Sequence, residues 1–164
     1  MDWPHVHLMI NHFPVILTVV GTAVLLLAFL RPRRGIWLHA AATLALAGLS
    51  AYPTFFSGDE AADVMKHKWY VVPDMIHAHD NAASITVWVL VVMGGFAAYA
   101  WWRMTRASTT TLPPKWLRLV VLLLALGGTG AVAYTAYLGG RIVYDSPKLA
   151  APPSGAAGVA TPPM

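Results

Sequence analysis

The chain has no cysteine, and only 11% of its 164 residues are charged. A soluble domain carries about 25% charged residues. Without cysteine there is no disulfide framework, no iron–sulfur ligation and no c-type haem attachment motif. Hydrolytic signatures are also missing: no G-x-S-x-G occurs, and no H-E-x-x-H metal motif. The opening M-D-W-P-H has no basic n-region, so the first apolar run is read as a retained helix rather than a cleaved signal. The formal net charge of +4 is unevenly distributed along the chain, which argues against nucleic acid as a partner.

What is present is apolar. Hydrophobic residues make up 57% of the chain, and four runs (13–30, 36–56, 82–102 and 119–140) contain no acidic or basic side chain. Each is long enough to cross a hydrocarbon core of about 30 Å. A lone strand cannot satisfy its backbone in lipid, so all four are expected to be helices. The absence of charge inside them argues against a transporter, which needs an intramembrane relay. His39 is the one histidine inside a run and is expected to be structural.

Charge gives the expected orientation. Arg31, Arg33 and Arg34 fill the loop after the first run, and Arg103, Arg106, Lys115 and Arg118 flank the loop after the third. Neither loop contains Asp or Glu. Short loops rich in Lys and Arg stay in the cytoplasm. All seven acidic residues (Asp2, Asp59, Glu60, Asp63, Asp74, Asp80 and Asp145) then lie outside, with both termini. The expected fold is all-α: an integral membrane four-helix bundle running up-down-up-down in the inner membrane of a bacterium, with periplasmic termini.

Prolines and small residues mark expected features along the bundle. Pro4 suits a first helical turn. Pro14 should kink the first helix just past His12, and Pro53 should loosen the end of the second. Residues 59–67 are expected to form a short interfacial helix. In the last run Gly127, Gly128, Gly130, Ala131 and Ala133 should let helices approach closely. Residues 1–146 are read as one domain. The Pro-, Ala- and Gly-rich tail 147–164 cannot build a core and is expected to lie extended along a partner subunit.

Six of the seven histidines fall on the outer side: His5, His7, His12, His67, His77 and His79. Imidazole near a bilayer is costly unless it has a partner or a role. A bundle-bound haem needs two axial ligands from facing helices at one depth. His12 precedes the first run and His79 lies just before the third, so their depths match within about one turn of ~5.4 Å. They are the leading metal ligands. His77 and His79 are about 200° apart on a helix, so only one can face inward. A polar stripe through Asp80 and Asn81 favours His77, whereas a small-residue stripe through Ala82 and Ala83 gives His79 room. Spacing leaves both open. His7 and His5 are alternative ligands or supports, and His67, between Lys66 and Lys68, is expected to be solvated. Asp80 and Asn11 are candidates to orient an imidazole, and Arg141 to pair with haem propionates.

Four segments carry a resemblance: V-H-L-M-I-N-H-F-P, Y-P-T-F-F-S-G-D-E-A-A, H-D-N-A-A and Y-L-G-G-R-I-V-Y. They resemble a group of bacterial four-helix membrane proteins labelled a domain of unknown function, and the similarity runs over 6–144. The resemblance implies a small integral membrane protein serving respiratory or redox chemistry. It puts the family's histidines on His7, His12 and His79 and leaves His5 and His77 as additions.

The expected function is a b-type cytochrome-like subunit. It holds haem b near the outer face and passes electrons between other membrane or periplasmic redox subunits and the lipid bilayer's pool. An accessory or electron-transfer role is favoured over an independent enzyme. The alternatives are a non-haem site for copper, zinc or iron, built from histidine with Met9, Met65, Met75 or the outer carboxylates, and a purely structural or assembly subunit.

Overall fold

A computed structural model describes residues 2–68, 71–107 and 111–145. Trp69, Tyr70 and the tail 147–164, with the extended conformation and partner contact expected of it, lie outside the described residues. Among the described residues the chain is all-helical with no strand: α1 Trp3–Ile10, α2 His12–Leu30, α3 Arg34–Met65, α4 Pro73–Arg106 and α5 Lys115–Tyr144. Four stretches are long and apolar enough to cross a membrane, with α1 and α2 together forming the first, Trp3–Leu30.

The first stretch breaks at Asn11, one residue before His12 rather than just past it. Proline has no N–H to give, and its ring crowds the carbonyl four residues back. Pro14 therefore releases the Ile10 carbonyl, and the Thr54 hydroxyl of α3 donates to that oxygen at 3.3 Å. Pro4 sits in the first turn of α1 behind an Asp2 cap.

Pro53 does not loosen α3. The helix runs through it to Met65, 32 residues in all, about 48 Å at 1.5 Å per residue. The Thr54 hydroxyl also lies 2.9 Å from the Ser50 carbonyl oxygen, so its one proton is shared between that acceptor and the Ile10 oxygen, and Ser57 Oγ donates to the Thr54 carbonyl at 2.8 Å, tying the turns on either side. The separate helix expected at 59–67 is instead the end of α3, whose Glu60, Ala61 and Ala62 are good helix formers. At 34 residues α4 is equally long, beginning at Pro73, well before its apolar run. Both helices exceed a hydrocarbon core of about 30 Å.

The helices close into a four-helix bundle, with α3 packed on α2 and α4, and α5 on α4 and α2. Leu25, Trp37, Leu44, Leu90, Met93, Met104 and Leu117 fill the centre. Leu49, Ile85, Trp88 and Leu123 are largely exposed, which is compatible with a membrane setting. A close backbone approach lies between α3 and α4. A Cβ on Gly48 would stand 2.6 Å from the Leu90 carbonyl oxygen and 2.7 Å from Gly94 Cα. Dispersion and close packing hold helices together in lipid, and small residues permit it. The glycines expected to serve this purpose on α5 divide: Gly128 packs on Leu90 and Met93, while Gly127 and Gly130 meet open space.

Candidate functional site

The polar side chains gather at two ends of the bundle. One end brings together parts of α1, α3, α4 and α5 and holds His5, His7, His12, His67, His77 and His79. The other carries the arginine-rich connections.

At the histidine end only His7 and His79 turn inward. His7, on α1, is half-buried. Its Nδ1 lies 3.2 Å from the Thr54 carbonyl and 3.1 Å from Ser57 Oγ on α3. The Trp3 and Phe56 rings meet edge-on at 5.8 Å and dock this part of α1 on α3. Ser57 itself is buried. His79, on α4, is also half-buried, with Nδ1 3.0 Å from the Thr135 carbonyl on α5. The Thr135 hydroxyl pairs with that of Thr86 at 2.9 Å.

Each ring lies against a glycine. A Cβ at Gly58 would stand 2.9 Å from His7 Cε1, and one at Gly139 would stand 3.1 Å from His79 Cε1. An imidazole whose Nδ1–H donates to a carbonyl is fixed in the tautomer that keeps the Nε2 lone pair free. Neither Nε2 has a hydrogen-bond partner among the described residues. The arrangement therefore offers two oriented, neutral nitrogen donors from two helices.

The other candidates stand apart from this pair. His12 is exposed, its Nδ1 3.0 Å from the Leu8 carbonyl of its own helical stretch. The predicted pairing of His12 with His79 is not the one the fold brings together: Asn11 keeps a helical backbone, so His7 and His12, five residues apart, lie about 140° apart round the stretch, and the inward azimuth is that of His7. His77 is exposed; of the two azimuths left open on this helix, the inward one belongs to His79. His5 is exposed and pairs with Asp2. That bond holds the Asp2 carboxyl below its usual range. Asn11 is half-buried, and its backbone N–H closes α1 on the His7 carbonyl. The Thr135 carbonyl, rather than Asp80, orients His79. Arg141 is engaged by Asp145 at 2.9 Å. His67 and His39 are exposed and bond to the carbonyls of Asp63 and Gly35, one turn back in each case.

His77 and Asp80 instead line a small cavity of about 110 Å³ with Asp59, Asp63, Lys66 and Pro73. Lys66 is paired with Asp63 there. No group of three or more His, Asp or Glu side chains is gathered as a metal cage among the described residues.

Thr54, Ser57, Gly58, Thr135 and Gly139 were not predicted as part of the site. Two of them act through main-chain carbonyls, which any residue type supplies, so side-chain chemistry could not mark them. The glycines did carry a signal. Both sit inside helices with ordinary backbone conformations, where glycine costs about 1 kcal/mol against alanine unless something needs the space.

Comparison with protein-family models, with curated proteins and with solved structures yields no match to this chain.

Proposed function

We propose that the protein is a b-type cytochrome-like membrane subunit in which His7 and His79 would hold the haem. It runs up-down-up-down through a bacterial inner membrane, with its arginine-rich loops in the cytoplasm and its histidine end and termini in the periplasm. The observation that carries the proposal is the matched pair. These are the inward-turned outer histidines, each has its Nδ1 tied to a main-chain carbonyl, and each keeps a free Nε2. This donor set suits haem, which would supply a one-electron couple near the outer surface.

The chain's own residues do the positioning. The carbonyls of Thr54 and Thr135 hold the tautomers. Gly58 and Gly139 let each ring lie flat on a neighbouring helix. Ser57 and the paired hydroxyls of Thr86 and Thr135 satisfy the remaining polar atoms near the rings. Asp80, half-buried beside His79, favours positive charge at that end. The partners proposed are other membrane or periplasmic redox subunits, so the protein acts as a carrier rather than an independent enzyme.

A second reading, a non-haem site for copper, zinc or iron, draws on the cavity lined by His77, Asp59, Asp63 and Asp80. A lysine already bonded to one of those carboxylates competes with a metal there, which makes this reading the weaker.

The decisive measurement is a visible spectrum of natively purified protein, oxidised and then reduced with dithionite. Split α and β bands are expected. His7→Ala and His79→Ala should each abolish them, while His12→Ala and His39→Ala should leave them. A featureless spectrum from the native protein, with copper, zinc or iron found on elemental analysis, would transfer the proposal to the second reading. Loss of the bands in His12→Ala alone would sink the His7–His79 assignment.

A further inference from the structure

The two half-buried imidazoles of the histidine end rest on the same five-residue pattern. His7 of α1 meets T-F-F-S-G, residues 54–58 of α3, and His79 of α4 meets T-A-Y-L-G, residues 135–139 of α5. In each, the main-chain carbonyl of the threonine lies at hydrogen-bond distance from the imidazole Nδ1, 3.2 Å at Thr54 and 3.0 Å at Thr135. In each, the glycine four residues later lies against the ring: a Cβ there would stand 2.9 Å (Gly58) or 3.1 Å (Gly139) from Cε1. No other threonine of the chain is followed by glycine at that spacing.

Helix geometry links the two positions. A helical side chain covers the turn on the N-terminal side of its own Cα, so residue i+4 shields the carbonyl of residue i. That carbonyl already accepts the i+4 amide, and its second lone pair is open to a donor from another helix where i+4 carries no Cβ. The threonine adds a second contact. A helical threonine commonly turns its hydroxyl back to the carbonyl one turn earlier, as Thr129 does toward Ala125 at 2.8 Å. Thr135 makes no such bond among the described residues. Its hydroxyl pairs instead at 2.9 Å with Thr86 of α4, which lies about two turns beyond His79. One residue of α5 therefore grips the histidine-bearing helix at two points. Thr54 does the same more weakly: its proton is shared between the Ser50 carbonyl at 2.9 Å and the Ile10 carbonyl, next to α1's own His7 turn, at 3.3 Å.

We infer that T-x-x-x-G is an imidazole receptor used twice in this chain, and that the hydroxyls of Thr135 and Thr54 are positioning groups that fix the carbonyl to which each Nδ1–H donates. The carbonyl sets the tautomer, the glycine admits the ring, and the hydroxyl holds the two helices at one level. The receptor leaves Nε2 as the free nitrogen donor. Its use for haem rests on the function proposed above, whereas the receptor itself does not. The clasp at His79 is the tighter of the two, because a 3.3 Å hydroxyl contact with a shared proton is weaker than a 2.9 Å pair.

The test follows the imidazole Nδ1 protons of the full-length protein in detergent micelles by nitrogen–proton NMR, after dithionite reduction so that any bound bis-imidazole haem is diamagnetic. Protons held by the receptor should exchange slowly with water. Thr135→Val keeps the branched shape and the carbonyl but not the hydroxyl. It should speed exchange at His79 about fivefold, as the weakening of one hydrogen bond would. Thr86→Val removes the same pair from the α4 side and should act alike, while Thr135→Ser, which keeps the hydroxyl, should stay within about twofold of wild type. In Thr86→Val/Thr135→Val neither hydroxyl is left unpaired, so stability should return toward wild type while exchange at His79 stays fast. Thr54→Val should speed exchange at His7 by less than Thr135→Val does at His79. Thr129→Val is the structural control. Its hydroxyl pairs with Thr22 at 3.0 Å on the same helix, but its carbonyl meets no imidazole among the described residues, and exchange at both histidines should stay within about twofold. Equal acceleration by Thr129→Val and Thr135→Val would reduce the hydroxyls to general packing and overturn the inference. Unchanged exchange in both Thr135→Val and Thr86→Val would overturn it too, as would the lack of a protected Nδ1 proton on wild-type His79. A featureless visible spectrum beside the expected exchange pattern would remove the haem and leave the receptor standing.

Discussion

At the histidine end, His7 and His79 each give an Nδ1–H to the main-chain carbonyl of a neighbouring helix. At the arginine end, Arg34, Trp37 and Arg118 each keep a buried donor that no acceptor reaches among the described residues. The first end is closed on its hydrogen bonds and open only at Nε2. The second end is open at the donors themselves. A polar group beside lipid can be satisfied from within the fold or from outside it, and the two ends take the two courses. In general, the lone pair of an oriented imidazole can donate to a Lewis-acidic centre, whereas a free guanidinium N–H can donate only to an acceptor such as an oxyanion.

The strongest way to break the comparison is to dislodge the crossing that holds both ends in register. At Gly94 a Cβ would stand 2.8 Å from Gly48 Cα and 3.4 Å from the Ala45 carbonyl. These are backbone atoms, which cannot rotate aside. Gly94→Ala should cost about 1–3 kcal/mol by overpacking, measured by reversible denaturation in mixed micelles. Because the acceptors of His7 lie on α3 and His79 lies on α4, the spectral signature proposed for the histidine pair should weaken together with stability. An unchanged spectrum would mean that the histidine end is set independently of this contact.

A smaller and sharper contrast lies on α3 alone, which has a glycine near each end. Gly35 meets nothing within 4 Å, whereas a Cβ at Gly58 would stand 2.9 Å from His7 Cε1. Replacing a helical glycine by alanine gains about 0.5–1 kcal/mol from backbone entropy. Gly35→Ala should keep that gain and leave the spectrum alone. Gly58→Ala should push the His7 ring off its acceptors, so the spectral signature weakens even where global stability is little changed. Gly139→Ala, with a looser contact of 3.1 Å to His79, should do the same to a lesser degree. Ser57→Ala is milder still. It removes one of two acceptors for His7 Nδ1 and should cost about 0.5–1.5 kcal/mol. Equal spectra for Gly35→Ala and Gly58→Ala would show that His7 is not held by α3 in the way its bonds imply.

This contrast also marks how far sequence reasoning could go. Uncharged runs at 13–30, 36–56, 82–102 and 119–140 required four helices, because lipid leaves the backbone no other way to be satisfied. The gathering of histidine at one end and arginine at the other followed from charge in the short loops. The azimuths did not follow. Choosing His7 over His12 depends on the Thr54 carbonyl and the Ser57 hydroxyl of a distant helix, which meet the His7 ring. Choosing His79 over His77 depends on the Thr135 carbonyl and on the space above Gly139. Both are contacts between segments far apart in the chain. Similarly, Pro53 reads as a helix breaker until the hydroxyls of Thr54 and Ser57 tie the turns around it.

The smallest effect is expected at His5, and its smallness is what the comparison requires. His5 belongs to the histidine end by sequence but not by geometry. It is exposed, and it bonds to Asp2, the cap of α1. That hydrogen bond lowers the Asp2 carboxyl from its ordinary value, with the charge of His5 adding to it. A carboxyl whose folded value is depressed contributes stability that is present above its unfolded value and is lost as pH falls through the folded one. Acidification should therefore fray the first turn of α1, by a small amount because solvent screens an exposed pair. His5→Ala should return the Asp2 carboxyl toward the ordinary carboxylate range, read from the Asp2 side-chain carbon resonance against pH. It should leave the visible spectrum of the protein unchanged, because the bonds that hold His7 run to α3 and not to Asp2. If His5→Ala altered the spectrum as strongly as His7→Ala, position at the histidine end alone would matter, and the division between inward-turned and solvent-facing imidazoles would fail.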